Sequence, residues 1–321
     1  MDRNIWVCGE VLIDLIPIER KPNVPKKAIV GGGPANTATA LAKLGCTTFF
    51  IDGISTSDDF GKSCQEYLIK NGVDLSLAYF VSKPTSTADV TLDENGGASY
   101  IFTFDGTATF DYLESWLPTT NLPDLLHIGT LATIIEPGAS ILLKWARELS
   151  KNIPIVLDPN IRPTVISDNV KYQSYIEPWI EIAQFIKVSE DDINWLYPNK
   201  SEKEIIFNWI NLGAKLVVVT RGSSGISGYY SINQEIKKVH VSGVKIQVVD
   251  TVGAGDTVGA ILAKEIVTNP NFYLDSKKLE NNLRQAAIAA AMTCSRAGAN
   301  TPTSEELNAA TLEFEKKGNV F

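Results

Sequence analysis

The chain has 321 residues, 44% of them hydrophobic, with a formal charge of −8 and a pI near 5.0. That length can bury a large core, in one big domain or two smaller ones. The acidic balance argues against nucleic acid and membrane surfaces as partners, since both need clustered cations. The ligand expected is therefore small.

From the N-terminus, Met1 to Asn4 and the short run to Val7 are too polar and too brief for the apolar region of a signal peptide. No stretch reaches the roughly 20 apolar residues that span a bilayer. The nearest, at Ala286 to Ala291, is flanked by Arg284 and Arg296. Cys8, Cys46, Cys64 and Cys294 are scattered, with no Cys-x-x-Cys pair, and His127 and His240 complete no zinc spacing with them. These features predict a reduced, soluble, cytoplasmic protein.

Short β-branched runs at 4–7, 47–51, 125–128, 155–157, 185–188 and 216–219 predict buried strands. Helices are predicted at 34–44, closed by Gly45, at 61–70, closed by Asn71-Gly72, and at 137–150. Such alternation implies an α/β fold, a mostly parallel sheet with helices on both faces. Two segments break it. The patterns at 11–18 and at 87–92 with 99–104 are strand-like without an intervening helix. Turn-forming residues separate their arms, Lys21-Pro22-Asn23-Val24-Pro25 in the first and Asp93-Glu94-Asn95-Gly96-Gly97 between 88–92 and 99–104, so a small β flap is predicted. There is no internal repeat, and fraying is expected only after Glu315.

The strongest chemical signal is Asp250-Thr251-Val252-Gly253-Ala254-Gly255-Asp256, after a strand pattern at 244–249 and before a helix predicted at 257–266. Gly253 and Gly255 let successive N–H groups point into one concavity at a helix N-terminus, a site for negative charge on a transferred phosphoryl group. Asp256, in the first turn, can take the proton from an attacking hydroxyl. The plainer reading makes Asp256 an N-cap. A dinucleotide fingerprint fails, because Gly253, Gly255 and Gly259 are spaced GxGxxxG and Asn269-Pro270-Asn271 follows instead of a second strand with a ribose-binding acid.

The second signal is Gly31-Gly32-Gly33-Pro34-Ala35-Asn36, where bare glycines allow close ligand approach and Asn36 offers a donor and an acceptor suited to sugar hydroxyls. Gly-rich turns before helices are also common structural punctuation. Gly61-Lys62-Ser63 is not a P-loop, since Thr56 stands where that motif needs glycine.

Together, GGGPANTATALAKLG (31–45) and DTVGAGDTVGA (250–260) resemble the two signature regions of the ribokinase-like, or PfkB, sugar kinases. The similarity extends along nearly the whole chain, through Gly9-Glu10 to Asp14, DGISTSDDFG at 52–61, Asp158-Pro159-Asn160-Ile161-Arg162, Thr220-Arg221-Gly222 and 294–302. Several of these runs are most similar to bacterial fructokinases. The resemblance implies a single kinase domain over 1–321, with lid strands inserted at about 11–30 and 86–106. It implies that Asp14, Gly32, Gly33 and Asn36 hold sugar hydroxyls, that Gly253, Ala254 and Gly255 form an anion hole, and that Asp256 is the base. Thr220, Gly222 and Gly225 fall beside the phosphates and adenosine of ATP, and Asp250 falls where a monovalent cation, potassium, is often held.

There are departures. The family's Asn-x-x-Glu run, which organises magnesium through water, matches Ser189-Glu190-Asp191-Asp192 here, so Glu190 or Asp192 stands in for it or the cluster caps a helix at 191–197. Kinases of 2-keto-3-deoxygluconate carry an arginine where this chain has Phe104, so a neutral sugar, fructose, is expected and the keto-acid is the alternative. Phe102 and Phe104 either face the ligand or pack on the sheet. Arg162 either meets the substrate or pairs with Asp158 or another acid. A sensor that has lost catalysis is a rival from another class, and the exposed edges of the flap allow a homodimer through the lid.

Overall fold

The computed structural model of the protein describes residues 3–18, 24–92 and 98–317. The turn residues predicted at 93–97 and 21–23 lie outside the described residues.

The elements run β1 (Asn4–Cys8), β2 (Leu12–Pro17), β3 (Lys26–Gly31), α1 (Gly33–Lys43), β4 (Thr47–Ile51), β5 (Gly53–Ser55), α2 (Asp59–Lys70), β6 (Tyr79–Val81), β7 (Thr87–Leu92) and β8 (Ala98–Thr103). They continue with β9 (Leu125–Gly129), α3 (Gly138–Leu149), β10 (Ile155–Asp158), α4 (Asn169–Ile180), β11 (Phe185–Ser189), α5 (Glu190–Leu196), α6 (Glu202–Leu212) and β12 (Leu216–Thr220). The last third holds β13 (Ile226–Ile232), β14 (Glu235–Val241), α7 (Ala254–Thr268), α8 (Ser276–Cys294) and α9 (Ser304–Lys317).

The main sheet has the order β14-β13-β12-β11-β10-β9-β1-β4, parallel from β4 to β12 and antiparallel through β13 and β14. Because side chains alternate along a strand, β1 feeds two cores at once. Ile5 and Val7 pack with Leu41 of α1, Leu262 of α7 and Ile288 of α8, while Trp6 and Cys8 face Leu142 of α3 and Trp179 of α4. Each such large apolar side chain, fully buried, contributes about 1.5–3 kcal/mol. Local signals set the helix ends: Asp58 accepts from Gly61 N–H at 2.7 Å to start α2, and Ser201 with Glu204 forms a capping box on α6.

A second sheet, β3-β2-β7-β8, stands apart, with β2 and β7 parallel and the outer pairs antiparallel. Asp14, Ala88 and Phe102 share one of its faces by register. Among the described residues, no helix is long and apolar enough to cross a membrane.

One expectation fails and one hairpin was not expected. The strand pattern at 244–249 forms no strand. The segment does not pair with β14, the edge strand of the sheet; Val248 and Val249 are 59% and 60% exposed and the segment is tied down by Val249 N–H to the Cys294 carbonyl at 2.8 Å. The hairpin of β13 and β14 has no counterpart in the reading of the sequence, because its turn residues, Asn233 and Gln234 (φ 50 and 66), are not the Asn-Gly pair that announces such a turn.

Candidate active site

The two glycine-rich turns, more than 200 residues apart in the chain, meet at Asp256. Gly253 takes φ 77 before α7, and a Cβ there would stand 2.5 Å from that of Ala299, so only glycine fits. Ala254, Gly255 and Asp256 then occupy the first helical positions, where N–H groups have no partner within the helix, and no side chain caps Gly253. Asp256 is not an N-cap. Its Oδ2 accepts from Asn36 Nδ2 at 2.8 Å, and the residue is 7% exposed.

The other turn brings α1 to the same point. Gly32, at φ 109, has no room for a Cβ, which would lie 2.4 Å from the Glu10 carbonyl. A Cβ on Gly33 would meet Thr130 Oγ1 at 2.9 Å, Asn160 Nδ2 at 3.0 Å and Asp256 Oδ1 at 3.3 Å. Asp14 leans over Gly31, whose Cβ would strike its Oδ2 at 2.2 Å. The bare α-carbons thus hold open the space among Asp14, Thr130, Asn160 and Asp256.

Charge is concentrated here. Burial pushes the Asp256 carboxyl up to about 6; Lys187 pulls it down, Asp158 adds to the rise, and Asn36 and Arg162 oppose it. Burial likewise takes Asp14 up to about 6 and Glu10 up to about 8, with the Arg162 charge working against both. Arg162 does not pair with Asp158. Its Nη1 donates to the Asn160 carbonyl, Asn160 Oδ1 and the Ile161 carbonyl at 3.0, 2.7 and 3.1 Å. Asp158 is instead taken by Lys187, 2.8 Å away and equally buried. Phe104 stacks on Phe102 at 5.0 Å and meets Phe110 edge-on at 4.9 Å, a packed aromatic cluster at the base of the small sheet.

Beyond the α7 N-terminus lies a cleft of about 690 Å³. Thr220, Gly222, Gly225 and Gly255 line it, as do Ala287, Ala290, Ala291 and Cys294 of α8, from the alanine-rich segment of the sequence. Gly225, at φ 104, passes so close to β14 that a Cβ would sit 2.0 Å from the Val241 carbonyl. A groove of about 380 Å³ between α4 and α6 touches neither glycine turn.

The acids matched to cations are engaged within the protein. Asp192 Oδ1 accepts from Ile161 N–H at 3.1 Å, and Asp192 closes a capping box with Ser189 on α5. Glu190 pairs with Arg221 at 3.0 Å. Asp250 joins two loops, accepting from Val252 N–H at 3.0 Å and Gly298 N–H at 2.9 Å. Among the described residues, no group of three or more His, Cys, Asp or Glu could hold a metal ion.

Sequence reasoning singled out neither Lys187 nor Thr130, and gave Glu10 and Asn160 no role. Lys187 had a signal, being the one charge in the apolar run at 185–188. Thr130, at φ 57, had none, because its place depends on how β9 ends.

The sequence model of the pfkB family of carbohydrate kinases matches residues 2–306. A fructokinase of Rhizobium leguminosarum bv. trifolii is 35% identical over 295 residues, covering 89% of this chain and 83% of its own. Among solved structures, fructokinase from Xylella fastidiosa with bound ATP superposes with a TM-score of 0.88 at 22% identity, over 98% of this chain and 100% of the other. Fructokinase from Vibrio cholerae O395 bound to fructose, ADP and calcium gives 0.82 at 25% identity, over 96% and 98%. The fold is the ribokinase-like fold of these kinases.

Proposed function

The chain belongs to the pfkB family of carbohydrate kinases, and from that premise we propose that it transfers the γ-phosphoryl group of ATP to a hydroxyl of fructose, with Asp256 as the general base. The observation that carries the reading is the position of Asp256. Its carboxylate faces the space left by Gly33, while the start of its own helix, at Ala254 and Gly255, borders the cleft beside Thr220 and Gly225.

In this reading the nucleotide occupies the cleft, its adenosine against the alanines of α8 and its phosphates towards Gly253, Ala254 and Gly255. The sugar lies under the small sheet, its hydroxyls on Asp14, Asn36 and the backbone of Gly32 and Gly33, with Arg162 near and Phe104 forming an apolar boundary. Asp256 takes the hydroxyl proton as that oxygen attacks the γ-phosphorus, and the helix N-terminus stabilises the charge on the transferring group. The small sheet acts as a lid that excludes water, inserted in a single kinase domain, and its edges pair in a homodimer.

Magnesium is part of the nucleotide substrate, since Glu190 and Asp192 are engaged by Arg221, Ile161 and Ser189 and do not converge as direct ligands. A potassium ion beside the Asp250 loop would be held chiefly by backbone carbonyls. We assign the protein to the cytoplasm.

The test is ADP release with magnesium and potassium across fructose, ribose, 2-keto-3-deoxygluconate and adenosine. Preference for fructose is expected. Preference for the keto-acid would give Arg162 the carboxylate and overturn fructose as the substrate; no turnover with any of them would overturn the assignment of fructose and favour a sensor.

A further inference from the structure

We propose that Lys187, pinned by Asp158 beneath the Gly255 turn, is a positioning residue that keeps Asp256 in its proton-accepting form. The proposal rests on the reading of Asp256 as the base.

The register of the sheet makes the arrangement. β9, β10 and β11 are adjacent parallel strands, with Val156 opposite both His127 and Phe185. By alternation, His127, Asp158 and Lys187 all point to the face covered by α7. Lys187 Nζ lies 2.8 Å from Asp158 Oδ2, and the two side chains are 5% and 3% exposed. The same Nζ is 2.8 Å from where a Cβ on Gly255 would stand. The ammonium therefore rests against a bare α-carbon one residue before Asp256, and any side chain on Gly255 would displace it.

A buried pair that served only to join two strands would need no bare α-carbon above it, and apolar side chains of similar size would fill the space as well. This pair leaves its charge unevenly met. Asp158 Oδ1 has no hydrogen-bond partner among the described residues, and the Lys187 charge is felt by Asp256 as well as by Asp158.

Several charged groups surround Asp256, and Asp14 of β2 borders the same space. Lys187 faces Asp256 from β11, Asp158 from the end of β10, Arg162 from the loop after β10, and Glu10 from the loop after β1. His127 of β9 and Asp192 of α5 act on Lys187 rather than on Asp256. His127 is fully buried, and burial pushes it down to about 4, so it adds no charge near neutrality. Of the two cations, Lys187 has the greater effect on Asp256. Burial and Asp158 raise the carboxyl, and Lys187 holds it near 6, where it is ionised at neutral pH.

The experiment is a ¹³C titration of the Asp256 carboxyl, assigned by its absence in Asp256→Asn, in the wild-type protein, Lys187→Met and Lys187→Arg. The midpoint should rise by about one pH unit or more in Lys187→Met and return most of the way in Lys187→Arg, with the acidic limb of turnover moving in step. A folded Lys187→Met with an unmoved midpoint, or an equal shift in Lys187→Arg, overturns the proposal. If Lys187→Met does not fold, the double variant Lys187→Met, Asp158→Asn leaves no unpaired buried charge. Its midpoint should also rise, by less, and an unmoved midpoint overturns the idea. The titration does not depend on turnover, so a protein that phosphorylates no sugar refutes the kinase reading while the carboxyl still decides the role of Lys187.

Discussion

On one side of Asp256 the site is a cluster of buried charge, with Lys187, Asp158, Arg162 and Glu10 all acting on one another or on the base. On the other side, the cleft at Thr220 is lined mostly by glycines, alanines and aliphatic side chains, with Lys245 as a charged member of the lining. The contrast fits what each half would do in the proposed reaction. A group that accepts a proton needs a tuned charge state, which takes fixed neighbours in a dry setting. A nucleotide needs room for its base and N–H groups for its phosphates, which small residues and a helix end supply, with Lys245 adding a charge to the lining. The charged half should therefore respond to changes of charge, and the small-residue half to changes of size.

The largest effect expected is on the charged side. Asp256→Asn keeps the shape and removes the base, and should lower turnover by about 10³-fold while the KM for ATP changes by less than about threefold. Steady-state kinetics checks this; near-normal turnover would remove Asp256 from the role of base. Next comes Gly33→Ala, whose methyl would intrude between Thr130, Asn160 and Asp256. It should reduce kcat/KM for the sugar by roughly 10–100-fold, in line with the effect of small misplacements in an active site. The KM for ATP should stay put, and a rise there would blur the division of the site.

Ala291→Leu tests the other half. Filling the cleft should raise the KM for ATP by about tenfold and leave the KM for the sugar unchanged, in keeping with the energy of a methylene-scale misfit in a pocket. An unchanged KM for ATP would place the adenosine elsewhere.

The smallest effect concerns stability. Folding raises the Asp256 carboxyl from its ordinary value to about 6. The protonated form is favoured in the folded state, so this contribution is complete below about pH 4 and is lost as the pH rises through 6. At neutral pH the buried carboxylate therefore costs stability, on the order of 1–3 kcal/mol. Asp256→Asn should raise Tm at pH 7 and bring little change at pH 4, which thermal melts at the two pH values can show. In the same window the wild-type kcat/KM should fall about tenfold per pH unit below 6 as the base becomes protonated.

Much of this molecule was legible without coordinates. The six strands predicted for the main sheet correspond to β1, β4, β9, β10, β11 and β12, because buried parallel strands leave short apolar runs. The edge was not legible. At 244–249 an apolar pattern met no partner strand, whereas β13 and β14 pair through a turn whose residues carry no strong signal. In the site, the glycine turn could be read because Gly253 takes a positive φ at the turn before a helix, whereas the reason for Gly255, the Lys187 side chain against it, lies in the fold. Asn36 was expected at the sugar; its hydrogen bond to Asp256 emerged only in three dimensions.

By itself, the sequence determined the α/β class, the two glycine-rich turns and the acid at the start of α7, since each depends on residues close together in the chain. Only the tertiary structure decided that both turns meet at one carboxylate, that Asp158 pairs with Lys187 rather than Arg162, and that the alanines of α8 line the cleft. Those contacts join residues far apart in the chain, and their partners are chosen by strand register and by how closely helices approach the sheet.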